Sequence, residues 1–239
     1  MAAADFLTQT VTVLRKDLSL EWRAKERITP MVLFVLLVLL VFNFSFELGA
    51  LNLSQIGPGV LWSAFVFAGL LSLHRTFASE TQNGTLDGLL LAPVSRSVLY
   101  LSKMLGNFVF LLALQALSLP LFGLFFNLSP GRPLLALPAV LVLGTACLAS
   151  VGTLFAAMSI HSRLREQFLP LLVLPMMVPA LISCIGATAE VFELNQRFAV
   201  EQQGEVLSDG LIAHLQMLGT YAVVFNVLAL MLFEYIVEE

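Results

Sequence analysis

The chain has 239 residues, 59% of them apolar and 12% charged, with a formal net charge of −4 and a mean hydropathy of +0.92. Soluble domains carry about 25% charged residues, and one core cannot hide this much apolar surface, so a water-soluble globule is excluded and lipid is the natural solvent. The acidic balance leaves no broad basic face for nucleic acid, and Cys147 and Cys184, both inside apolar runs, read as small core residues rather than a disulfide framework or zinc site.

The first element in chain order is an amphipathic helix within residues 1–29. Leu7, Val11, Leu14, Leu18 and Trp22 recur on one helical face, while Arg15, Lys16, Arg23 and Lys25 lie largely off it. This pattern predicts an interfacial helix parallel to the membrane, its basic residues meeting anionic headgroups. The five basic residues Arg15, Lys16, Arg23, Lys25 and Arg27 leave no room for an apolar signal-peptide region ahead of the first span, so none is expected.

A membrane helix needs about 20 residues to cross ~30 Å of hydrocarbon. Stretches free of Asp, Glu, Lys and Arg predict six spans within residues 30–239, at about 30–47, 56–73, 103–126, 134–158, 168–186 and 211–235. Asn52, Gly57 and Pro58 are taken as a loop ahead of the second span. Ten of the twelve Lys and Arg residues fall on the side shared with the N-terminus, and the external loop 187–210 carries five acids, Glu190, Glu193, Glu201, Glu205 and Asp209, against Arg197 alone. Both termini are therefore expected in the cytoplasm.

The chain spends nearly thirty residues, 74–102, between spans two and three, and a loop that long in a compact membrane protein is usually functional. Asn83-Gly84 is a turn signal, Thr85 can cap a helix, Leu86, Leu89 and Leu90 fall at i, i+3 and i+4, and Pro93 stops it. The pattern predicts a helix of at most two turns with an apolar ridge, flanked by Glu80 and Asp87. It suits either a surface helix resting on the bilayer or a knob presented to a cytosolic partner's groove. In span five, Pro175 and Pro179 fall where a helix interior is expected, each removing a backbone hydrogen bond, and mark a candidate hinge or a static bend. Gly144, Ala146, Ala149, Gly152 and Ala156 in span four suit close helix packing, and Asn43, Asn107, Gln115 and Asn226 suit interhelical hydrogen bonds. No charged residue is expected near a span's centre, which removes the usual markers of proton-coupled transport and ion conduction.

The run Glu80-x3-Gly84-Thr85-Leu86-Asp87-x-Leu89-Leu90-Leu91-Ala92-Pro93-Val94-Ser95 resembles the signature between spans two and three in permeases of the ABC-2 export class. Flanking blocks narrow the likeness: Gly57 to Leu73 followed by Arg75 and Phe77, Gly144-Thr145, Val151 to Ala157, and Arg163-x-Arg165-Glu166 followed by Leu169 to Pro175 and Pro179 are similar to the haem exporter protein B (CcmB) family of cytochrome c maturation. The likeness covers about residues 57–185; residues 187–239 match no family motif.

The resemblance implies an all-α, polytopic permease subunit in a bacterial inner membrane. Glu80, Gly84, Thr85, Leu86, Asp87, Leu89, Leu90 and Pro93 would form its ATPase-coupling element. The nucleotide chemistry would then sit in a separate CcmA-like ATPase subunit. The three lysines, Lys16, Lys25 and Lys103, agree, since none follows the glycines of a phosphate loop. ATP would be bound by that partner, and haem would be the transported substrate or the cargo of a released chaperone. A homodimer is expected, because six helices scarcely enclose a path. The tryptophan-rich WWD motif of haem-handling proteins is absent, Trp22 and Trp62 being the two tryptophans. In the resembled system that motif belongs to a CcmC-like subunit, which is a further expected partner. His74, His161 and His214 lie near span ends and none is assigned as a haem ligand. Competing readings are an ABC-2 permease for a lipid, polysaccharide or drug, and a membrane scaffold without transport. No catalytic, cofactor-binding or metal-binding residue is assigned, and no enzyme chemistry is expected in this chain.

Overall fold

The computed structural model describes residues 2–24, 28–45, 53–77, 95–128, 130–159, 165–201 and 207–236. Among these residues the chain is helical throughout: α1 (Ala2–Ala24), α2 (Ile28–Ser45), α3 (Leu53–Leu73), α4 (Arg96–Phe125), a short 3-10 turn (Arg132–Ala136), α5 (Leu137–Met158), α6 (Arg165–Glu201) and α7 (Asp209–Ile236). Five helical stretches, in α3, α4, the 3-10 turn with α5, α6 and α7, are long and apolar enough to cross a bilayer; α2 is apolar but shorter. Five of the six spans expected from charge-free stretches are thus matched by helices of spanning length, and the apolar but shorter α2 lies where the first was expected.

Several boundaries differ from the pattern of the sequence. Helix α3 begins at Leu53 and takes Gly57 and Pro58 inside it, where the sequence places a loop; Pro58 is the sixth residue, so it gives up the bond its N–H would have made to the Ser54 carbonyl. Helix α4 begins at Arg96, not near residue 103, so the segment 74–102 is shorter than it looks. Residues 187–201, which the acids assign to an external loop, continue α6 to Glu201. Charged residues interrupt a hydrocarbon span, yet outside hydrocarbon Glu and Arg are good helix formers. At 1.5 Å per residue α6 is about 55 Å long and overruns a ~30 Å core.

Cross-helix contacts define two ends of the bundle. At one, here the loop face, the start of α4 meets the end of α7 through Tyr100 and Phe233, ring centroids 5.5 Å apart. At the far face, Asn43 near the end of α2 donates to the carbonyl of Phe125 at the end of α4, 2.6 Å, and Phe122 stacks on Phe192 of α6 at 5.9 Å. Helix α1 packs along α4. Only the start of its apolar stripe faces away from the protein: Leu7 and Val11 are 62% and 59% exposed, while Thr10 and Asp17 are buried and Leu14, further along the stripe, is half-buried.

The inner helices are α3 and α5, and α7 is the least enclosed of the long five. Close approach explains α5. A Cβ on Gly144 would lie 2.2 Å from Cη2 of Trp62 and 2.7 Å from the Cys184 sulfur; one on Gly152 would lie 2.2 Å from Cδ1 of Leu73. The small residues therefore admit large ones from α3. Trp62 is fully buried, and its indole N–H donates to Thr188 Oγ1 of α6 at 2.9 Å. Cys147 and Cys184 are free and buried.

The two glycines differ in what stands against them, a rigid indole at Gly144 and the end of a flexible leucine at Gly152. Gly144→Ala is expected to cost about 1–3 kcal/mol through overpacking, and Gly152→Ala less. Thermal unfolding of the detergent-solubilised protein measures this, with the larger fall in Tm for Gly144→Ala.

Candidate functional site

The long loop leaves the bundle at a turn and returns at the start of α4, and both anchors are built from buried groups. After α3 the chain makes a tight turn in which the N–H groups of Arg75 and Thr76 donate to the carbonyls of Ser72 and Leu73 at 3.0 and 3.1 Å. Thr76 and Phe77 are buried. The Thr76 hydroxyl donates to Asn107 Oδ1 of α4 at 3.1 Å, and Asn107 Nδ2 donates to Thr153 Oγ1 of α5 at 2.9 Å. One amide thus joins the turn, α4 and α5, in a region where interhelical hydrogen bonds contribute about 0.6–2 kcal/mol each. Two turns further along α4, Gln115 Oε1 accepts from Thr145 at 2.8 Å.

One turn before Asn107, Lys103 is buried in α4. Its ammonium lies 2.9 Å from Asp17 Oδ2 of α1, the two side chains only 7% and 11% exposed. It also sits 5.8 Å from the centre of the Phe77 ring, within cation–π range. Lys103, which the sequence puts at the boundary of the long loop and the third span, is a buried lysine within α4. Its position at the edge of an apolar run was the available signal; nothing local to Asp17 pointed to it.

The eight residues expected to form a coupling element, Glu80, Gly84, Thr85, Leu86, Asp87, Leu89, Leu90 and Pro93, fall within residues 78–94, which lie outside the described residues. What the structure places is the base they spring from. Of the four polar residues expected to bridge helices, Asn43, Asn107 and Gln115 do so. Asn226 instead donates to the Ala222 carbonyl of its own helix at 2.8 Å.

Pro170, Pro175 and Pro179 all lie inside α6. The N–H that Pro179 lacks would have served the carbonyl of Pro175; the adjacent carbonyl, of Met176, accepts from the Tyr221 hydroxyl of α7. Ser183 Oγ lies 3.0 Å from Met217 Sδ on the same helix, and Cys147 donates from α5 to the Leu218 carbonyl at 3.4 Å. The middle of α7 thus supports the proline segment, a role the tyrosine's sequence context did not reveal.

At the far face the extended α6 meets the start of α7. The Ser208 hydroxyl donates to Glu190 Oε2 and accepts from the Leu211 N–H at 3.1 Å, capping α7. A Cβ on Gly210 would lie 2.1 Å from Glu190 Oε1, so glycine admits the carboxylate there. His214 lies 4.0 Å from Glu190, His74 is half-buried in the loop-face turn, and His161 is outside the described residues.

Comparison with known proteins agrees with the family likeness and corrects its extent. Residues 8–231 match the family described as CcmB protein, so the match is not confined to residues 57–185 and takes in most of the stretch 187–239 in which no family motif was expected. The chain is 37% identical over 177 residues to Heme exporter protein B of Paracoccus denitrificans, covering 74% of this chain and 80% of that protein. It is 34% identical over 170 residues to Heme exporter protein B of Rhodobacter capsulatus, covering 71% and 78%. To the protein of that name in Pseudomonas aeruginosa it is 33% identical over 165 residues, covering 69% and 73%.

The Asn107 bridge makes a direct prediction. Asn107→Leu keeps the bulk but leaves the Thr76 hydroxyl without its acceptor, costing about 1–2 kcal/mol. Amide hydrogen exchange at residues 74–77 is expected to quicken while exchange in α7 stays unchanged.

Proposed function

The chain belongs to the CcmB family, and on that premise we propose that it is the membrane permease subunit of a haem-exporter-type ATP-binding-cassette transporter serving cytochrome c maturation. A separate CcmA-like ATPase subunit hydrolyses ATP, and residues 78–94 carry the short helix that enters its cleft. The movement passed on drives haem export or release of a loaded haem chaperone. Glu80, Gly84, Thr85, Leu86, Asp87, Leu89, Leu90 and Pro93 form the coupling element, and Pro175 and Pro179 the hinge that answers it.

The observation that supports this reading best is the base of the long loop. A segment meant to pass on a displacement has to spring from something stiff, because a soft root would absorb the motion. Phe77, Thr76, Asn107 and Lys103 are all buried there, and Asn107 ties the turn to both α4 and α5.

In this reading α2 makes the sixth crossing, the loop face is cytoplasmic with both termini on it, and α1 lies in the inner-membrane interface with Leu7 and Val11 toward lipid. The functional unit contains two copies of this chain together with a CcmC-like haem-handling subunit. Haem is the transported substrate or the cargo of the released chaperone, and no residue here is assigned as its ligand.

Asp87→Lys or Leu89→Asp is expected to weaken ATPase capture while leaving membrane insertion intact. Loss of one central interface contact costs ~2 kcal/mol, about 30-fold in affinity. Co-purification of the ATPase subunit and the yield of c-type cytochromes measure it; unchanged recovery and yield refute the coupling role. A second measurement separates a moving permease from a passive scaffold. Spin-label distances across Pro175 should differ between complexes whose ATPase holds ATP and those that are empty, and indifference to nucleotide favours the scaffold.

A further inference from the structure

A buried lysine is costly unless a partner neutralises it, and a buried ion pair adds little stability over well-packed apolar side chains of the same size. What such a pair supplies in the best-attested cases is register, holding two elements together at one position. Asp17 and Lys103 meet these terms at 2.9 Å, both largely shielded from water. The second lysine on that carboxylate, Lys16 at 3.2 Å from Oδ1, is half exposed and screened. Thr10, the other buried polar residue on this face of α1, donates to the Phe6 carbonyl of its own helix at 2.9 Å. Leu14 adds packing, lying 3.7 Å from where a Cβ of Gly106 would be.

Lys103 is also where a third element arrives. Its ammonium sits beside the Phe77 ring at 5.8 Å, and one turn along α4 the neighbouring Thr76 is held by Asn107 at 3.1 Å. Three elements therefore meet around one ammonium: α1 through Asp17, α4 through Lys103 itself, and the root of the long loop through Phe77.

We infer that Asp17 and Lys103 are positioning residues that strap α1 to the root of the long loop, so that α1 and the 74–77 turn move as one body. Any displacement of the turn then either carries α1 along or separates a buried ion pair. The amphipathic helix is in this way a second moving element rather than a passive anchor. The transmission half of this inference rests on the coupling function proposed for residues 78–94; the strap itself does not.

The test uses the chain in complex with its ATPase subunit in lipid nanodiscs, with spin labels on cysteines introduced at exposed positions. Thr12→Cys with Arg75→Cys reports α1 against the turn, and Thr12→Cys with Leu135→Cys reports α1 against the far face. The 12–75 distance distribution is expected to be narrow with and without a non-hydrolysable ATP analogue. Asp17→Leu with Lys103→Met removes the tie without burying an unpaired charge, and the narrow distribution should be lost. The exchanged pair, Asp17→Lys with Lys103→Asp, should restore it, which a purely volume-filling role would not. Should the Leu/Met variant fail to insert, Asp17→Ala with Lys103→Ala takes its place. A 12–75 distribution as narrow in the neutral variant as in the unsubstituted chain overturns the strap. A nucleotide-dependent shift of the 12–135 distance, present in the unsubstituted chain and lost in the neutral variant, supports transmission. If that shift is absent from the unsubstituted chain, the coupling function fails while the strap is still judged by the 12–75 distance.

Discussion

Hydrocarbon offers a backbone no water and gives one apolar helix no hydrophobic reward for touching another, so everything in this bundle depends on how closely its helices can approach. Helix α5 meets that constraint by subtraction. Where Gly144 and Gly152 omit a side chain, Trp62 and Leu73 fill the space, and dispersion over many such contacts replaces the missing hydrophobic drive. Close approach then makes short polar bonds practicable. Trp62 to Thr188, Thr145 to Gln115, and the Thr76–Asn107–Thr153 chain each join different elements at 2.8–3.1 Å. The packing sets how near the helices come, and these bonds set where along their length they stop.

The two ends of the bundle use different chemistry because they do different structural jobs. At the loop face the chain turns tightly and buries its polar groups, including a lysine and an aspartate paired at 2.9 Å. At the far face α6 runs on beyond hydrocarbon length, and charge is spent in the open: Glu193 and Arg197 form an exposed i,i+4 pair at 3.9 Å, worth little. There Glu190 and Ser208 cap the start of α7, a favourable place for a carboxylate beside the helix N-terminus.

Most of the bundle was legible in the sequence because hydrocarbon is a severe filter on composition. Charge-free stretches located the apolar helices, and the small residues of α5 announced close packing before any partner was known. Charge misled in both directions. The acids after residue 189 looked like loop, although a helix that has left the hydrocarbon tolerates Glu and Arg readily. Lys103 looked like a solvated boundary because its neutralising partner, Asp17, lies 86 residues earlier on a helix whose conspicuous feature is an apolar stripe. Pairings of that kind come from tertiary structure, and no local pattern encodes them. The segment proposed for coupling is the opposite case: its residues stand out in the sequence, and only the turn that leads into it and the start of α4 after it lie among the described residues.

The proline segment of α6 shows what a membrane helix gives up when it breaks its own ladder. Pro175 and Pro179 remove two N–H donors, and in lipid a carbonyl left without a donor costs several kcal/mol. Beside the carbonyl that Pro179 frees, that of Met176 takes its hydrogen bond from Tyr221, whose ring is stacked on Phe225 at 4.4 Å. Helix α7 also receives Ser183 from α6 and Cys147 from α5, although it is the least enclosed of the long helices. The Met176 carbonyl has the N–H of Ala180 within its own helix as well, so Tyr221 adds a bond across to α7 beside the gap in the ladder and ties the proline segment to its neighbour at that point.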